Sequence, residues 1–273
     1  MNVFSKTLIS GMALGLTAGA AQARTIEVTI ENLSGTNGLY LTPFLAVFHD
    51  GTYTGFQVGT AASPELEDIA EEGIVGGEVA RIDTLGIGAR TAVATGQQGF
   101  GSVAGQPPVL DAGEATSFLI DLDPMANSYF SFLSMVIPSN DTFVGNANPL
   151  AYELFDANGE FTNLATILVD GDDVWDGGTE ENDGLGAAFS AVGGTATDTV
   201  GGVVTSSPLD FLFGQPTVAG FTVDGADVGP ALAAISFNEV VAPVPLPAGM
   251  ALMLGGLGVL GFAGRRSQRA PMA

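Results

Sequence analysis

The chain has no cysteine, and only one tryptophan and one histidine among its 273 residues. Without cysteine there can be no disulfide, no thiolate zinc site and no thiol nucleophile. Positive charge is almost as scarce: seven Lys and Arg stand against thirty Asp and Glu, a formal net charge of -23. Four of those cations lie near the ends, at Lys6, Arg265, Arg266 and Arg269, so residues 24–243 carry only Arg24, Arg81 and Arg90. A body of that charge repels nucleic-acid backbones and anionic lipids, and it favours divalent cations or cationic partners. Acidic surface also keeps an exported protein dissolved in salty water, which needs no ligand at all.

The two ends are organised differently from the body. Residues 1–23 have one base, Lys6, then the apolar stretch "TLISGMALGLTAGA", then "AQA". Small residues at Ala21 and Ala23 fit cleavage after Ala23, so this segment is expected to be an export leader. At the far end, "VAPVPLPAGMALMLGGLGVLGFAGRRSQRAPMA" runs from a proline-spaced linker into an uncharged apolar stretch at 248–264 and then an arginine cluster. That order predicts a short transmembrane helix with its arginines left in the cytoplasm. The match to GxGxxG at Gly256, Gly258 and Gly261 is not a nucleotide loop, because no strand precedes it and no acidic partner follows.

The length of the body suits one domain with a sizeable core. "TIEVTI" alternates, placing Ile26, Val28 and Ile30 on one face of a strand. "LTPFLAVF" (41–48) reads as a second strand and "TSFLIDL" as a third, with Phe118, Ile120 and Leu122 together. "SYFSFLSMVIP" is apolar on both faces and should be a central, doubly buried strand. "LAYELFD", "DFLFG", "AGFTV" and "AAISFNEV" are further strand candidates, the last with Ile235 and Phe237 facing inward. "SPELEDIAEEG" is the clearest helix: Ser63 caps it, Pro64 opens it, Gly73 ends it, and Leu66, Ile69 and Ala70 form its apolar stripe. Residues 83–105 read as loops with one short strand, and 184–202 show no period. Many short strands and few helices predict an all-β fold, an antiparallel sandwich with one or two short helices.

The chemistry concentrates in two loops. "IPSNDTFVG" follows the buried strand and carries Asn140 and Asp141. "VWDGGTEEND" carries Trp175, two glycines and the acids Asp176, Glu180, Glu181 and Asp183. Hard oxygen ligands on loops at one end of a rigid scaffold are what calcium requires, and Trp175 could wall such a site. An EF-hand beginning at Asp170 fails, because Val174 takes its fifth position and Trp175 its obligatory glycine. Two carboxylates can also hydrolyse a glycoside, and four acids in a row of polar residues can simply be a solvated loop. His49, alone at a strand end, is expected to hold structure rather than to catalyse, and Ser102 and Ser139 lack a nucleophile elbow.

Two resemblances bear on these alternatives. "LTPFLAVFHDG", "ASPELEDIAEEG", "YFSFLSMVIPSNDTFVG" and "VWDGGTEEND", in that order across residues 25–183, resemble a spondin N-terminal domain of the kind also found in bacterial exported proteins. The resemblance implies a C2-like β-sandwich that binds calcium through loops at one end, with Asp141, Asp176 and Glu180 as metal ligands. Glu180 keeps the carboxylate where animal relatives often have Asp, and the disulfides of those relatives have no counterpart here. Val244, Pro245, Leu246, Pro247 and Ala248, followed by the apolar stretch and the arginines, resemble the VPLPA-CTERM sorting signals, relatives of PEP-CTERM. That tail implies processing by an exosortase-type protease and membrane anchoring through the helix before processing.

The expectation is therefore a leader at 1–23, a β-sandwich at 24–243 and a sorting tail at 244–273. Its role would be calcium-dependent adhesion or binding at the cell surface or in extracellular matrix, to a protein or polysaccharide, without catalysis. A purely structural biofilm or envelope constituent and a carboxylate-based polysaccharide hydrolase are the alternatives.

Overall fold

The computed structural model describes residues 23–97 and 108–241. The expected leader, apart from Ala23, and the expected sorting tail with its apolar stretch lie outside the described residues. Among the described residues no helix is long and apolar enough to cross a membrane.

Twelve strands and three short α-helices are described. The strands are β1 (Arg24–Asn32), β2 (Tyr40–Leu41), β3 (Phe44–His49), β4 (Arg90–Ala94), β5 (Ala115–Leu122) and β6 (Tyr129–Ile137). They continue as β7 (Thr142–Gly145), β8 (Tyr152–Glu153), β9 (Ile167–Asp170), β10 (Val174–Asp176), β11 (Thr205–Ser206) and β12 (Ala231–Glu239). The helices are α1 (Pro64–Glu72), α2 (Gly76–Leu85) and α3 (Gly225–Val228). Every strand pairing is antiparallel. A four-stranded sheet runs β5-β1-β12-β9. The larger sheet runs β11-β10-β7-β6-β3-β4, with β2 and β8 also paired to β6.

Alternation decides how the sheets meet. Ile26, Val28 and Ile30 of β1 and Ile235 and Phe237 of β12 turn one way and are buried. They pack against Phe44 and Phe48 of β3 and Phe130 and Phe132 of β6 in one core between the sheets. Phe130 and Phe237 meet across it edge to face, with centroids 4.9 Å apart. The larger sheet is buried on its other face too. There Leu45 and Val47 of β3, Leu133 of β6 and Phe143 of β7 pack against Leu66, Ile69 and Ala70 of α1 and Ile82 of α2. This second core explains why β6 has no polar face. Each fully buried aliphatic or aromatic side chain contributes about 1.5–3 kcal/mol.

α1 forms as its sequence dictates: the Ser63 hydroxyl accepts from Leu66 N, Pro64 begins the helix, and Gly73 ends it with φ +67°. α2 was hidden from pattern reading, because Gly76 and Gly77 open it and Val75 offers no side-chain cap. It runs three residues into the stretch 83–105 read as loops, and β4 is the one short strand expected there. "LTPFLAVF" is two pieces, β2 and β3, and Pro43, which has no N–H, falls in the break. Thr42 bridges that break, donating its N–H to Met135 O (3.1 Å) and accepting Met135 N on its hydroxyl (3.0 Å). "DFLFG" is not a strand: residues Leu209–Leu212 form a 3-10 turn that buries Leu212. "AGFTV" makes only an isolated bridge, Pro216 to Thr222, and "LAYELFD" pairs at Tyr152 and Glu153 and bridges Phe155 to Phe161.

Candidate functional site

The two acidic loops converge. β6 and β7 form a hairpin whose turn contains Ser139, Asn140 and Asp141. Ser139 shapes that turn, donating its hydroxyl to Val136 O (2.5 Å) and accepting Thr142 N (3.1 Å). β10 pairs with β7 so that Asp176 lies opposite Thr142, one residue from Asp141. Residues 177–185 then fold over the hairpin turn.

Asp141 and Asn140 are both buried, at 0% and 1% exposure, and they bond different parts of that covering loop. Asp141 Oδ2 accepts three donors: Thr179 N (2.7 Å), Glu180 N (3.0 Å) and the Thr179 hydroxyl (3.2 Å). Its backbone carbonyl accepts Gly177 N (3.0 Å). Its other carboxylate oxygen, Oδ1, is buried without a hydrogen-bond partner. Asn140 accepts Gly184 N (3.0 Å) and donates to Leu185 O (3.0 Å) and to Glu180 Oε2 (3.2 Å). Gly178 is required here: its φ is +68°, and a Cβ would meet Val203 N at 2.5 Å.

The carboxylates feel one another. Burial, then the charge of Asp141, raises the pKa of Asp176, while bonds from Gly178 N (2.7 Å) and Asn182 Nδ2 (2.5 Å) oppose the shift. Burial also raises Glu180, and the charges of Asp141, Asp198 and Glu72 add to it against the Asn140 bond. Glu71, in the last turn of α1, is pushed up to about 7, by burial first, with Glu180, Glu67 and Asp141 adding repulsion. Glu71 did not emerge from the sequence as part of this group; its only signal was a pair of acids at the wrong end of a helix.

All three expected ligand positions, Asp141, Asp176 and Glu180, thus fall in one locality. Among the described residues, however, no group of three or more His, Asp or Glu side chains is gathered as a metal-holding cluster. Both Asp176 oxygens and Glu180 Oε2 are engaged by amide groups instead. Trp175 does not wall the carboxylates. It alternates to the opposite face of β10, joins the second core against Phe56, and donates its indole N–H to Gly145 O (2.7 Å). The rejected EF-hand stretch is a 3-10 turn in which Asp170 caps Asp172 N (3.0 Å). Asp173 there is raised to about 6 by burial and by the neighbouring Asp170 charge.

His49 is fully buried. Its Nδ1 accepts Gly51 N (3.0 Å), so the proton sits on Nε2, which donates to Ser131 Oγ (3.0 Å). Burial pushes its pKa down to about 4. It is a neutral hydrogen-bonding residue.

The Spondin_N family model matches residues 36–211, more than half of the chain. The chain belongs to the Spondin_N family. No curated protein matches it. The Spondin_N region contains the whole larger sheet, α1, α2 and both acidic loops, whereas β1 and β12, the central pair of the smaller sheet, lie outside the match. Membership of Spondin_N suggests an extracellular binding or adhesion module, which is consistent with export.

Proposed function

We propose that this is an exported, surface- or matrix-associated module that binds calcium at Asp141, Asp176 and Glu180 and uses the ordered loop end for adhesion or ligand binding rather than turnover. One observation carries the reading. Asp141 is a fully buried carboxylate with one oxygen spent on three donors and the other unpartnered, amid acids whose like charges repel its own. A buried anion in that state calls for a cation, and oxygen-only donors suit calcium. Calcium would supply charge neutralisation; the chain supplies the fixed hairpin turn, the covering loop and the carboxylates. Asp176 and Glu180 would exchange their asparagine partners for the ion. A C2-like description of the sandwich belongs to the same reading, as does processing of a VPLPA-type tail by an exosortase-type protease after membrane insertion. A mature chain starting at Arg24 and lacking the tail, measured by intact mass, supports that processing; a full-length mature chain refutes it.

A second reading has its own support. Because Asp176 and Glu180 already have amide partners, the loop holds together without metal, as in a structural envelope or biofilm constituent. Thermal unfolding separates the two. At free calcium a hundredfold above its Kd, binding to the native state raises stability by about 2.7 kcal/mol, which is about 5–10 °C in Tm for a domain of this size. The shift should vanish in chelator and in the Asp176→Asn, Glu180→Gln double variant. No shift at millimolar calcium refutes the calcium reading and leaves the structural one.

A further inference from the structure

Beside the acidic loops, a cavity of about 610 Å³ opens at the C-terminal end of α1. Pro43, Val75, Val93, Val109 and Phe189 give it apolar walls, and among the described residues Glu72 is the ionisable one on its lining. The volume lies within the range of small-molecule pockets, which are mostly apolar with a few placed polar groups. Two features set this cavity apart from an incidental surface hollow.

The first is Phe189, whose φ is +60°. A bulky residue gains nothing by entering the left-handed region, and glycine would hold the same backbone without strain. The surrounding chain enforces the conformation: Val218 N donates to Phe189 O (2.9 Å), Ala191 N donates to Pro216 O (2.8 Å), and Ser190 bridges Thr217. An aromatic ring is thus held in the cavity wall at a backbone position that disfavours it, as happens at ligand sites. The second feature is charge. The last turn of α1 carries Glu71 and Glu72 and no basic residue. Acids there add to the negative end of the helix macrodipole, an arrangement that a cation relieves. Arg90, the cation on β4, has the opposite parity along that strand from Val93, which lines the cavity.

We infer that this cavity is a binding site for a small apolar amine, whose hydrocarbon part packs against Phe189 and the valines and whose ammonium group lies at Glu72 and the end of α1. The site adjoins the proposed calcium locality, since the Glu72 charge also acts on Glu180, but none of Asp141, Asp176 and Glu180 lines the cavity. A fatty acid or other apolar anion binds more weakly, against the same field that attracts the amine.

The test is titration of the full chain with 6-phenylhexylamine, 6-phenylhexanol and 6-phenylhexanoate, read by methyl NMR shifts at Ile74, Val93 and Val218. Ile74 and Val218 are half exposed, at 51% and 58%, so they report the cavity without being essential to the core. The amine should shift these methyls and bind about tenfold more tightly than the carboxylate. Glu72→Gln should weaken the amine about fivefold, the scale of one exposed charge pair, and leave the alcohol unchanged. Phe189→Gly should keep the fold, since it relieves the backbone, and should lose binding of all three ligands. The proposal is overturned by unmoved methyls at millimolar amine, by equal affinity for amine and carboxylate, or by unaltered binding to Phe189→Gly.

Discussion

Acidification should unfold this protein partly through His49, and the size of that effect follows from the burial of one ring. The imidazole is pushed from 6.5 to about 4 in the folded state because it is out of water, with Gly51 N on one nitrogen and Ser131 on the other. A second proton would have to enter at Nδ1 and would break the Gly51 bond. The unfolded chain therefore binds more protons than the folded one between pH 6.5 and 4, and stability must fall as pH falls through that window. With those two values the loss relative to pH 7 is about 2 kcal/mol at pH 5 and about 3 kcal/mol at pH 4. Other groups titrate in the same range. Glu71, raised to about 7, and Asp173, raised to about 6, act with the opposite sign, since their folded forms hold protons more tightly. The assay must therefore be a difference. Urea unfolding of wild type and His49→Asn, in which the amide oxygen can still accept Gly51 N, is measured at half-unit steps from pH 7 to pH 4. The Asn variant is less stable at pH 7 because the ring leaves a gap. Its deficit should shrink by about 2 kcal/mol by pH 5, as wild type alone bears the protonation cost. Two parallel profiles would refute the argument and show that His49 titrates normally in the fold.

Three further outcomes are expected. Glu71→Gln should stabilise the calcium-free protein by about 1–2 kcal/mol at pH 8, because it removes a carboxylate whose folded pKa stands above its unfolded value, and should do little at pH 4.5, where the folded carboxyl is protonated and the unfolded one only partly ionised; chemical denaturation at the two pH values checks the sign. Ser63→Ala should cost about 1 kcal/mol by removing the acceptor for Leu66 N, without moving the Trp175 emission of the folded state. Gly178→Ala should cost at least about 2 kcal/mol, from a positive φ and a Cβ driven into Val203 N, and a thermal melt unchanged from wild type would contradict the loop geometry.

Strands that bury one face were legible from period two, as β1, β5 and β12 show, and β6 was legible as a run with no polar face. α1 was legible because its cap, proline and terminal glycine are all local. What escaped was what depends on distant chain. "LDFL" has a strand-like composition but closes as a 3-10 turn, and β9, β10 and β11 are too short to show any period. The turn between β6 and β7 is tied internally by Ser139, which no spacing reveals. At the site, the nearness of Asp141 to residues 176–180 came from resemblance, since 35 residues separate Asp141 from Asp176. The contribution of Glu71 required the packing of α1 on the larger sheet.

The adjacent pair Asn140 and Asp141 has a consequence for the order in which parts of the molecule come loose. The amides of Gly177, Thr179, Glu180 and Gly184 are all held by acceptors of these two residues. Few of the segment's amides are secured by a sheet ladder, so their protection from hydrogen exchange depends on a two-residue latch. These four amides should exchange as one cooperative unit, with a common opening free energy below that of β6. A single opening of the hairpin turn would release the whole segment, giving the protein a discrete unlatched form that keeps the cores on either face of the larger sheet.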